Sequence, residues 1–78
     1  MTLGTKVTIK TLSSDYYGLT GLVVQEFPSR DPTNVRYYVA FDQTELRKAK
    51  RPEIVLKSKS NIVYFAVNEL EKVINVSA

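Results

Sequence analysis

The chain contains no cysteine and no histidine. Without cysteine there are no disulfides, thiolate metal sites or thiol nucleophiles, and a reducing compartment suits the chain. Without histidine there is no imidazole acid–base chemistry and no histidine triad, so an enzyme, a metal site or a bound cofactor is not expected. Long apolar runs are also missing: nothing approaches the roughly 20 residues that cross a bilayer. The opening from Met1 to Lys6 lacks the apolar core of a signal peptide, so a soluble protein is expected.

What is present suits one small folded domain over residues 1–78. A chain of this length buries only about 60% of its unfolded surface and has no material for a second core. Hydrophobic residues make up 44% and charged residues 24%, which is the balance of a folded protein rather than of a disordered tail.

The net charge of +3 is unevenly spread. Arg47, Lys48, Lys50, Arg51, Lys57 and Lys59 fall within thirteen residues that hold one acid, Glu53; the rest of the chain has five bases and seven acids. Attraction to a negative surface therefore acts mainly through this stretch.

The remaining sequence reads as short strands. Lys6 to Lys10 alternates, with Val7 and Ile9 on one face. Gly21 to Phe27 is rich in β-formers and stops at the turn-forming run from Pro28 to Asn34. Val35 to Asp42 alternates again, setting Val35, Tyr37, Val39 and Phe41 against Arg36, Tyr38, Ala40 and Asp42. Asn61 to Ala66 resumes β composition, and Val67 to Glu69 reads as a tight or 3₁₀ turn before a last strand from Leu70. Between Phe41 and Asn61, Thr44 to Lys50 fits about two helical turns before Pro52, and Ile54 to Leu56 fits a short extended segment. The expectation is an all-β fold: a small five-stranded SH3-like antiparallel barrel, closed to hide its edges, with a basic loop or hairpin insertion.

The run from Gly4 to Ile9, then Ser14, Tyr16-Tyr17-Gly18 and Gly21-Leu22-Val23, resembles the opening of two families of SH3-like subunits. These are the photosystem I subunit PsaE and the NdhS subunit of the photosynthetic NAD(P)H dehydrogenase-like complex. The ending, Tyr64-Phe65-Ala66 followed by Glu69-Leu70-Glu71, is similar to both. The resemblance implies a non-catalytic peripheral subunit that attaches to larger subunits of a membrane complex, on the cytoplasmic or stromal side of the thylakoid. It also implies docking of a soluble acidic carrier, ferredoxin. Where those families present an arginine, this chain has Ala40 and Ala66, which leaves Arg36 and the Arg47 to Lys59 group as the available cations. A fainter similarity from Val63 to Asn75 is to plasmid-type dihydrofolate reductase, but its key glutamine position holds Ile62.

Partner-binding candidates are thus Arg36, Arg47, Lys48, Lys50, Arg51, Lys57 and Lys59, with Tyr16, Tyr17 and Tyr38 as the aromatics available for contact, most of the five tyrosines being expected half-buried. The same residues suit a nucleic-acid-binding barrel of ribosomal or transcription-factor type, the cations on phosphates and the tyrosines on bases. A plain scaffold role, with the basic loop buried in an assembly, is a third reading. Glu69 and Glu71 read as surface carboxylates rather than a catalytic pair.

Overall fold

A computed structural model describes residues 1–57 and 61–73. Its strands are β1 (Lys6–Ile9), β2 (Thr20–Phe27), β3 (Arg36–Ala40), β4 (Ile62–Ala66) and β5 (Leu70–Lys72), all antiparallel in one sheet of order β4-β3-β2-β1-β5. Two short helices, α1 (Gln43–Leu46) and α2 (Pro52–Val55), lie between β3 and β4, and 3₁₀ turns occupy Pro32–Asn34 and Val67–Glu69.

Alternation sets the core. Val7, Ile9, Val23, Tyr37, Val39, Phe65 and Leu70 turn inward from the strands, and Leu19, Phe41, Leu46, Ala49 and Val55 join them from the connections. The pattern in β2 breaks once. Val23 pairs with Val39 but Gln25 pairs with Tyr38, so Val24 is an extra, bulged residue. A bulge of this kind bends its strand and reverses the facing of every residue beyond it.

The strands expected from the sequence are all present, but the closure is not: among the described residues the sheet is open, with β4 and β5 as its edges. The basic stretch is not a loop or hairpin either. The Asp42 carboxylate caps α1 by accepting the Glu45 N–H at 2.8 Å, and Pro52 opens α2 at a position where its missing N–H costs nothing. Leu46, Ala49 and Val55 are then buried, which folds the segment onto the sheet. The first helical stretch is shorter than two turns, and the extended segment expected at Ile54 to Leu56 is helical instead. One buried valine between two exposed neighbours satisfies either conformation, so composition alone does not choose between them.

Candidate docking surfaces

Two surfaces collect the candidate residues. The first is the outer side of the segment from Gln43 to Lys57. Arg47, Lys48, Lys50, Arg51 and Lys57 are all exposed there, above the buried Leu46, Ala49 and Val55. Three of these cations are engaged within the chain. Lys48 Nζ lies 2.9 Å from Glu45 Oε2. Lys50 Nζ donates to the Leu12 carbonyl at 2.9 Å and sits 4.7 Å from the centre of the Tyr17 ring. Arg51 Nε donates to Asp15 Oδ1 at 2.9 Å, with a second, shorter bond from its terminal nitrogen. The segment is thereby pinned to the loop from Thr11 to Leu19. Arg47 and Lys57 make no ion pair among the described residues, and Lys59 lies outside them.

Glu45 joins α1 to β2. Its carboxylate accepts the Thr20 N–H at 2.9 Å, and that bond, followed by the one from Lys48, holds its pKa below the ordinary glutamate value. Beside it, Lys6, Gly21, Leu22, Ala40, Asp42 and Asn61 line an open groove of about 590 Å³.

The second surface is the outer face of β2, β3 and β4. Register places Leu22, Ala40 and Ile62 in one row, Gln25, Tyr38 and Tyr64 in the next, and Phe27, Arg36 and Ala66 in a third. Phe27, Tyr38 and Tyr64 pack edge to face, with ring centres 4.9 to 5.7 Å apart. Tyr64 is 53% exposed, and Leu22, Val24, Tyr38 and Ile62 also stand open to solvent. The same side of the sheet is polar at β1 and β5, where it carries Lys6, Thr8 and Glu71. An apolar cluster beside a polar region of one sheet makes this face a candidate interaction surface, because solubility alone favours polar residues throughout an uncovered face.

The three candidate tyrosines separate. Tyr38 lies on the outer face as expected, and Tyr17 is exposed beneath Lys50. Tyr16 is half-buried, stacked on Phe41 at 5.4 Å and edge-on to Phe65 at 5.9 Å, and burial raises the pKa of its hydroxyl. Its ring packs against the core, which fits structural support better than partner contact. Arg36 lies on the outer face, half-buried, its guanidinium 3.5 Å from the Val35 carbonyl. Sequence reasoning missed Phe27 and Tyr64. For Tyr64 the signal was its spacing of two from Ile62 and Ala66; for Phe27 there was none, because the bulge at Val24 reversed its facing.

Glu69 is committed locally: its two oxygens accept the Ala66 N–H at 2.8 Å and the Thr11 hydroxyl at 3.4 Å. Among the described residues no cluster of acidic side chains is arranged to hold a metal ion, and no helix is long and apolar enough to cross a membrane. Comparison with family models, curated proteins and solved structures returned no match.

Proposed function

We propose that the chain is an SH3-like barrel acting as a non-catalytic docking subunit, which presents its cationic segment to an acidic protein and attaches by its body to larger subunits of a membrane complex. The strand order, the bent β2 and the 3₁₀ turn between β4 and β5 support the SH3-like reading. One observation carries the docking role: five cations stand exposed on a segment whose apolar underside is buried. A positive field fixed to a rigid platform steers encounter without the ordering cost that a free arm pays. The assignment of the acidic partner as a ferredoxin-like carrier of photosynthetic electron transfer, and of the location as the thylakoid surface, rests on the resemblance of residues 4–42 and 61–76.

The test is association with ferredoxin, followed by stopped flow at several ionic strengths. Replacing Arg47, Lys48, Lys50 and Arg51 by glutamine should slow association about tenfold at low salt and flatten its salt dependence. The pair Arg47→Gln and Lys57→Gln should give a smaller slowing with unchanged stability, since neither residue makes an ion pair among the described residues. An unchanged rate in the fourfold variant rejects the steering role.

Nucleic-acid binding has one observation in its favour, the Phe27, Tyr38 and Tyr64 cluster on an open sheet face. The cationic segment, however, follows the opposite end of β3 from Arg36 and Phe27. Titration with single-stranded RNA distinguishes this reading, which requires binding that weakens when Tyr38 or Tyr64 becomes alanine.

A further inference from the structure

We infer that the outer face of β2, β3 and β4 is the contact surface of a homodimer, two copies packing face to face about a twofold axis perpendicular to β3. This is independent of the carrier proposed above. Beyond its apolar character, the face has a polarity along β3. Outward positions run Arg36, Tyr38, Ala40 and then Asp42, which shares the groove lining with Leu22 and Ala40. At about 3.3 Å per residue the arginine and the aspartate stand roughly 20 Å apart in one copy, too far to pair with each other. Neither makes a direct ion pair among the described residues: Arg36 reaches only a carbonyl, and Asp42, which lies within the influence of Lys48, spends one oxygen on the Glu45 N–H.

A twofold axis passing opposite Val39 brings these ends together. Each Arg36 then faces the second copy's Asp42, and each Tyr38 faces the small Ala40 of the other copy, so charge and size are complementary twice over. Sheets packed face to face keep their strands within about 30° of alignment, which preserves this register near the axis. Lys6, on β1 beside Leu22, adds a positive charge at the aspartate end, where Glu45 lies within its influence. A long polyanion is disfavoured as occupant because Asp42 and Glu45 close one end of the face. A standard interface covers about 800 Å² per partner, roughly a seventh of this molecule's 5457 Å². For an interface of this size without extensive polar pairing, dissociation in the micromolar range is expected.

Sedimentation equilibrium of the full chain up to about 200 µM reads this directly. The expected result is a reversible monomer–dimer equilibrium. Tyr64→Lys and Arg36→Asp should each weaken it about tenfold or more, and Arg36→Asp combined with Asp42→Arg should restore most of the loss. Because Asp42 also caps α1, Asp42→Ser serves as a second variant that keeps a capping oxygen and removes the charge; it should weaken the dimer with the circular dichroism spectrum unchanged. A monomer throughout the range overturns the inference. So does a dimer indifferent to Arg36→Asp, Asp42→Ser and Tyr64→Lys, or one that the charge exchange fails to restore while Asp42→Ser leaves its affinity intact.

Discussion

Truncating Leu46 to alanine separates a docked cationic segment from a free one. Leu46 is 3% exposed and packs with Ala49 and Val55 in the same cluster as Phe41 and Val39. Replacing a buried leucine by alanine costs about 2 to 5 kcal/mol. A domain of this size is stable by only about 4 to 12 kcal/mol, so the loss is a large fraction of the total. With a urea dependence of about 1 kcal/mol per molar, the unfolding midpoint should fall by about 2 M or more. Val55→Ala should act in the same direction by a smaller amount, because a valine loses less volume. Leu56→Ala, at a residue 40% exposed, is the control and should stay within about 0.5 kcal/mol. Urea titration followed by circular dichroism and by tyrosine fluorescence supplies the measurement. If Leu46→Ala and Val55→Ala both fall within the range of the control, the segment is a free arm and the rigid-platform argument fails.

Glu45 makes stability depend on pH. Its folded pKa is depressed, so its contribution is complete above its unfolded value of about 4.3 and is lost as pH falls through the folded one. Glu45→Gln should remove that part of the acid sensitivity below about pH 5 in thermal melts, and an identical pH profile in the variant would contradict the bond to Thr20. Glycine substitutions test the backbone at two places. A Cβ on Gly21 would lie 2.6 Å from the Ala40 carbonyl oxygen, so Gly21→Ala should be strongly destabilising, whereas Gly18, with φ of 81° and open space around it, should cost only about 1 kcal/mol as alanine. Equal losses at both positions in urea titrations would refute the close approach of β2 to β3.

The strands were legible because each needs only local alternation. Val7 and Ile9, or Tyr37, Val39 and Phe41, can be assigned to one face without knowing any neighbour. The helical segment was not, because its geometry depends on contacts distant in sequence: Arg51 with Asp15, Lys50 with Leu12, and Glu45 with Thr20. A run rich in lysine and arginine reads as solvated until those partners are seen. The packing of Tyr16 was hidden for the same reason, since its turn-rich surroundings in sequence give no hint of the Phe41 and Phe65 rings it packs against.

The bulge at Val24 links the fold to the proposed interface. With unbroken alternation from Val23, both Gln25 and Phe27 would turn to the inner face. There Gln25 would bury an amide, and Phe27 would compete for the space that Tyr37 and Phe65 already fill. The inserted residue relieves both conflicts by sending Gln25 and Phe27 outward. It completes the contact of Phe27 with Tyr38 and Tyr64, and it leaves Val24 itself 40% exposed. A polar residue at position 27 would have satisfied solvent equally well at the end of β2. That phenylalanine stands there, across from Arg36 and on the same face as Tyr64, is an argument that this side of the sheet is shaped by contact with another surface rather than by the needs of folding alone.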